Sequence, residues 1–241
     1  MRNPPSLAQH LKFFDAADMA RYTAIISEAE SELSALGPAL QAVTRPFFST
    51  LAEGEFTQIV VLLPYWLSDL LPLPEPQLRD LALAHLHGWW YYAAQDQLLD
   101  GQGQADRLLG GHLALVRMIE LYRRLGLAET PCWQDFLALT ATSAEWHAQE
   151  WATRFAAETD LSPDRLAPWT AELIIQRGAA FYFNTTAQLQ LAGHDPHGPL
   201  GSDLIHALQS FSVARQLADD ASDWHADLLA GQLNVVSASL M

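Results

Sequence analysis

The stretch Asp219-Asp220-Ala221-Ser222-Asp223-Trp224-His225-Ala226-Asp227 decides how this chain is read. An α-helix advances about 100° per residue, so positions four apart sit about 40° apart around the axis. On a helix, Asp219, Asp223 and Asp227 form one acidic row. A second pair lies upstream in Asp96-Gln97-Leu98-Leu99-Asp100, and its two carboxylates also share a face. Like charges at this spacing weaken an isolated helix. The turn Gly101-Gln102-Gly103 follows Asp100 directly and places the upstream pair at a helix C-terminus, where the dipole is already negative. Divalent cations held between two facing helices would offset both costs.

The surrounding pattern is helical. Apolar residues recur at helical spacing and strand alternation is scarce. The periodicity predicts helices over 5–11, 16–36, 41–51, 57–70, 75–99, 105–125, 131–157, 167–192 and 202–230. Glycine and proline punctuate them at Gly37-Pro38, Pro72-Leu73-Pro74 and the 193–201 loop. The expectation is an all-α fold, with residues 1–241 forming a single helical bundle. With 8 Trp, 6 Tyr and 10 Phe among 241 residues, the chain has ample apolar material for a core, which excludes a disordered chain.

Charge narrows the partners. The net charge is −15, from 28 acidic and 13 basic residues. Nucleic acid needs a basic surface, so it is excluded as a partner. A polybasic membrane anchor is excluded on the same ground. Lys12 is the single lysine, so arginines carry nearly all the fixed positive charge. The single cysteine, Cys132, rules out an internal disulfide and fits a reducing, cytoplasmic setting. The most apolar stretch, 59–73, is interrupted by Pro64 and Pro72 and is too short to span a bilayer.

Carboxylate oxygens suit Mg²⁺, with Mn²⁺ as the alternative. Mg²⁺ takes one or two carboxylates plus substrate phosphates and keeps several waters. A diphosphate neutralised in this way becomes a leaving group, and the carbocation left behind needs an apolar and aromatic enclosure. Trp89, Tyr92 and Asp96 fall on one helical face, so Trp89 and Tyr92 are candidates for such a wall, and Phe181 is a candidate for a second. Trp90 and Tyr91 point into other sectors and are read as packing. Arg215, one turn before Asp219, either pairs with it or meets phosphate. Gln216 is a candidate to hydrogen-bond a metal-bound water. Asn184 and Gln188 share a face with Arg177, since the positions differ by seven and four. They either line a pocket or are buried and hydrogen-bonded to neighbours. The segment Glu145-Trp146-His147-Ala148-Gln149-Glu150 lacks the Glu-x-x-His order of a di-iron helix and is read as ordinary amphipathic helix. His85 and His87, two apart, lie on different faces and do not share a metal.

A DxxxD helix followed by a QLxDDxxDxxxD segment, carried by Ala214 through Gly231, resembles the class I isoprenoid (terpene) synthases. The squalene/phytoene synthase branch and related bacterial terpene synthases are the most similar. The resemblance spans roughly residues 82–237. It implies a bundle around a central apolar pocket, with both acidic motifs at its mouth binding Mg²⁺ and a prenyl diphosphate. Asp96 and Asp100 match the first metal motif. Asp219, Asp223 and Asp227 match the second, with Asp220 as an added neighbour, and these aspartates would be the catalytic metal ligands. Arg177 resembles the basic residue placed near the diphosphate. Members of the branch carry further helices after the second motif. A bundle lacking them would expose apolar surface, which would favour a homodimer or another partner.

The function expected is Mg²⁺-dependent ionisation of a C15–C20 prenyl diphosphate with release of pyrophosphate, the chemistry of a lyase. The alternatives are a head-to-head prenyl condensing transferase and a non-catalytic prenyl- or lipid-binding relative. A helical pyrophosphohydrolase is a further class, but its acidic clusters would be rich in glutamate. The thin supply of basic residues favours a substrate with one diphosphate over condensation of two.

Overall fold

A computed structural model describes residues 14–99, 101, 105–153, 166 and 169–240. Ten α-helices account for most of the described residues, and none of these residues forms a strand. The all-α class expected from periodicity is the class observed. The predicted 5–11 helix and Asp100 lie outside the described residues. The helices group into two compact units, within Met1–Ala128 and Glu129–Met241.

The first unit holds α1 (Ala16–Ser34), α2 (Pro38–Ala52), α3 (Glu55–Trp66), α4 (Glu75–Leu99) and α5 (Arg107–Arg124). Asp15 starts α1 by accepting the Asp18 backbone N–H at 2.8 Å, a standard N-cap. α2 begins three residues before the expected 41 because Gly37-Pro38 supplies a cap followed by proline at the first helical position. α3 ends at Trp66, and Leu67–Asp69 continues as a 3₁₀ turn.

α4 is the hub of this unit and packs against α1, α3 and α5. Its buried positions run almost continuously from Leu81 to His87, because neighbours cover it on several sides. Trp90 and Phe48 are 2 % and 1 % exposed, with ring centroids 5.0 Å apart. Burying side chains of this class stabilises by roughly 2–3 kcal/mol each before entropy is counted. α5 reaches this centre through Gly110. A Cβ there would sit 2.8 Å from Thr44 Cγ2 and 3.1 Å from Trp90 Cζ2, so only glycine fits without a shift.

The second unit holds α6 (Cys132–Ala152), α7 (Ala171–Arg177), α8 (Ala179–Leu191), α9 (Pro199–Leu229) and α10 (Val235–Leu240). The continuous helix expected over 167–192 is divided at Gly178, which caps α7 and precedes α8. Glycine is the poorest helix former after proline, and here the path turns at it. α8 packs on α6 through Phe183 and Phe136, 5.0 Å apart. α9 begins at Pro199 rather than 202, again with proline at the first position after a glycine. It ends at a turn in which Gly231 adopts φ +77°, the left-handed conformation that a side chain disfavours. That turn sends the chain back along α9 into α10, which the periodicity did not reveal. Leu233, Val235 and Ala238 then pack with Trp169, Leu173, Trp146 and Leu228.

Candidate functional site

The acidic row expected from the sequence lies on α9. Asp219 is exposed, Asp223 and Asp227 are half-buried, and Asp220 is buried at 3 % exposure. Burial pushes the Asp223 carboxyl up to about 6. The charges of Asp227, Asp219 and Asp220 and a hydrogen bond shared with Asp227 act in the same direction. One oxygen of Asp223, Oδ1, is enclosed and finds no hydrogen-bond partner among the described residues. Asp223 and Asp227 thus form an adjacent pair whose joint ionisation is resisted, which is the local cost that the i,i+4 spacing predicts.

Asp220 does a different job. Its Oδ1 accepts from Gln216 Nε2 at 2.7 Å and its Oδ2 accepts from the Val235 backbone N–H at 2.9 Å. Both carboxylate oxygens are therefore engaged within the protein. Burial raises its pKa, against the hydrogen bonds from Gln216 and Val235.

Gln216 connects this carboxylate to Arg177. Its Oε1 accepts from the Arg177 guanidinium at 3.1 Å. Arg177 also donates to both oxygens of Glu150, at 2.7 and 2.8 Å. The side chains of this pair are 12 % and 16 % exposed. A polar chain therefore runs from Glu150 on α6 through Arg177 on α7 and Gln216 and Asp220 on α9 to the start of α10. Alternating donors and acceptors satisfy each other along it, as a buried network requires. Arg177, expected near a diphosphate, is directed at Glu150 and Gln216. Arg215 is exposed on α9.

Glu150 is the member that sequence reasoning did not assign to the site. Glu150 and Arg177 are 27 residues apart and on different helices, so no spacing rule joins them. The rest of its segment matches the amphipathic reading. His147 is buried at 6 % exposure with Nδ1 2.7 Å from the Ser143 carbonyl.

On α8, Asn184 and Gln188 are buried, at 1 % and 0 % exposure. The break at Gly178 puts them on a different helix from Arg177. Phe181 is half-buried and meets Tyr182 edge-on at 6.3 Å.

In the first unit, Asp96 lies in the last turn of α4, half-buried. Trp89 and Tyr92 stack at 5.7 Å with planes 21° apart, on the helix face that Asp96 shares. Phe56 meets Trp89 edge-on at 4.8 Å, and Trp89 Nε1 donates to Thr57 Oγ1 at 3.0 Å. Trp90 is core, as its sector predicts. His85 is fully enclosed, and burial lowers its pKa to about 3. His87 instead meets Glu32, Nε2 to Oε2 at 3.2 Å, so the two histidines serve separate environments.

Among the described residues no three of His, Cys, Asp and Glu converge to hold an ion by themselves. The donors that do lie together, Asp223 and Asp227, are hard oxygen ligands. Such a pair suffices for Mg²⁺ when phosphates and water complete the shell. No protein-family model matches the chain, and comparison with curated proteins gives no significant match. No described helix is long and apolar enough to cross a membrane.

Proposed function

We propose that this protein is a Mg²⁺-dependent enzyme of class I isoprenoid synthase type that ionises a prenyl diphosphate of 15 to 20 carbons and releases pyrophosphate. The observation that carries the reading is the Asp223–Asp227 pair. In this pair burial and like charge raise the Asp223 carboxyl, and one Asp223 oxygen is enclosed and unpartnered among the described residues; the Glu150–Arg177–Gln216–Asp220 chain braces the row from behind. An enclosed oxygen without a donor favours a cation beside it, so the residues fit a hard divalent ion.

Asp223 and Asp227 would hold the ion, with Asp219 at the exposed end of the row. Asp96 and Asp100 are assigned the first metal motif by the resemblance. A divalent cation, when bound, supplies charge neutralisation to the departing diphosphate. Asp223 would hold such an ion as the carboxylate, in competition with a proton. The Trp89–Tyr92 stack offers π faces that attract a cation. The network holds Asp220 away from this task, as a support for the row.

Arg177 is occupied by Glu150 and Gln216, and basic residues are few. This supports one-substrate ionisation over condensation of two prenyl diphosphates, which would double the carbon count of the product. The test is incubation with C10, C15 and C20 prenyl diphosphates with and without Mg²⁺, followed by assay of pyrophosphate and of hydrocarbon mass. Mg²⁺-dependent pyrophosphate release that is lost in Asp96→Ala and Asp223→Ala is expected. Binding of the substrate with no release identifies the non-catalytic alternative, and unchanged release in both variants overturns the assignment.

A further inference from the structure

Asn234 occupies a position that the metal reading does not use. It is 4 % exposed and follows the Gly231 turn. Its Oδ1 accepts the Ser237 backbone N–H at 2.8 Å, while Ser237 Oγ accepts the Asn234 backbone N–H at 2.9 Å. This reciprocal pair caps the start of α10 in the manner of a capping box. Because the amide oxygen is committed to the cap, the NH₂ must point the other way. It donates to Asp227 Oδ2 at 2.9 Å and lies 3.5 Å from the Asp220 carbonyl oxygen. The next residue, Val235, donates its backbone N–H to Asp220 Oδ2 at 2.9 Å. The start of α10 is thus tied to two residues of the acidic row, seven positions apart on α9.

We infer that Asn234 is a positioning residue for metal binding: its side-chain amide fixes the orientation of Asp227 and leaves the other carboxylate oxygen to the cation. This rests on the proposed metal role of the row. A donor to one oxygen of a ligating carboxylate fixes its rotamer and lowers the cost of ordering it when the ion arrives. Losses of such supporting groups typically weaken metal affinity or activity 10- to 100-fold. The apolar contacts of Leu233, Val235 and Ala238 with Trp169 and Leu173 hold α10 in place independently, so the amide can act on a fixed support.

Two substitutions separate positioning from capping. Asn234→Ser keeps an oxygen that caps α10 but removes the donor to Asp227. Ser237→Ala weakens the cap but keeps the amide. The measurement is Mn²⁺ binding to the full chain in the presence of inorganic pyrophosphate, by electron paramagnetic resonance, with thermal unfolding of the same samples. Asn234→Ser is expected to weaken Mn²⁺ binding about 10-fold with little change in Tm. Ser237→Ala is expected to lower Tm and bind Mn²⁺ within twofold of wild type. Wild-type affinity in Asn234→Ser, or a parallel loss of affinity and Tm in both variants, overturns the inference while the metal reading stands. A wild-type protein that binds no Mn²⁺, or binds it as well after Asp223→Ala, overturns the metal reading, and the role of Asn234 falls with it.

Discussion

Arg177 spans both carboxylate oxygens of Glu150 with one guanidinium nitrogen, at 2.7 and 2.8 Å, and so joins α6 to α7. A charge pair this enclosed gains little over an apolar pair of the same shape. Losing one partner is costly, because the other is left buried and uncompensated. Glu150→Ala is expected to destabilise the protein by about 3 kcal/mol, measured by urea unfolding. The double replacement Glu150→Leu with Arg177→Met is expected to recover much of that loss. A double variant as unstable as the single one would show that the pair is not the source.

Asp223 on α9 holds its proton more tightly than an ordinary aspartate, and this sets a pH dependence. Asp223 titrates near 6 in the folded chain against 3.8 for an ordinary aspartate. Its folded-state pKa is raised, so its contribution to stability is complete below about pH 4 and is lost as pH rises through 6. Asp223→Asn removes both the charge and this slope. The metal-free variant is expected to have a higher Tm than wild type at pH 7.5, with the difference closing by pH 4. Mg²⁺ competes with the same proton, so its half-saturation concentration should rise as pH falls below 6.

Glu32 works in the opposite sense. Burial alone would raise its pKa. Hydrogen bonds from His87 and Arg117, and their charges, outweigh it and hold the carboxyl at about 2. The stability it supplies is present above pH 4.5 and is lost as pH falls through 2. Glu32→Gln is expected to lower Tm at pH 7, and the gap to wild type should shrink steadily between pH 4.5 and 2. Enclosed, neutral His85 adds an acid-side loss of its own between pH 6.5 and 3, common to both proteins. A gap that does not change with pH would remove Glu32 as the titrating group.

The helices and most of their limits were legible because apolar periodicity and Gly-Pro punctuation are local signals. Sector arithmetic also separated Trp89 and Tyr92, which stack beside Asp96, from Trp90, which is core. The Glu150–Arg177 contact was not legible, since it depends on how α6 and α7 pack. The Gly178 break carried a signal, a glycine inside an apolar run, that periodicity overrode. α10 carried one too. Asn234 followed three positions later by Ser237 is a capping pattern, but six residues are too few to show a helical period. The acidic row was visible as a spacing, yet nothing local marked Asp220 as the member turned inward.

Gly110 offers a direct test of the close approach in the first unit. Alanine improves helix propensity by about 1 kcal/mol, so an open position would be stabilised. Here the added Cβ meets Thr44 Cγ2 and Trp90 Cζ2, and overpacking of this kind costs about 1–3 kcal/mol. Gly110→Ala is expected to be net destabilising, by about 1 kcal/mol. Pairing it with Thr44→Ser, which removes the nearer methyl, is expected to restore much of the loss in urea unfolding.

Gln216 is the residue whose two ends must both be right. Its Oε1 accepts from Arg177 and its Nε2 donates to Asp220, so the amide passes the hydrogen-bond direction along the chain. Gln216→Glu would strengthen the first contact and abolish the second, setting a carboxylate beside buried Asp220. An unsatisfied or repelled buried acceptor costs about 1–3 kcal/mol, so the variant should be less stable at pH 7 despite its added ion pair with Arg177. Protonating either carboxyl restores a donor, so the deficit should diminish toward pH 4. Gln216→Leu, which loses both contacts but adds no charge, is expected to show a deficit with little pH dependence. If Gln216→Glu matches wild type at pH 7, the Asp220 carboxylate does not depend on that donor, and the Val235 backbone N–H suffices to hold it.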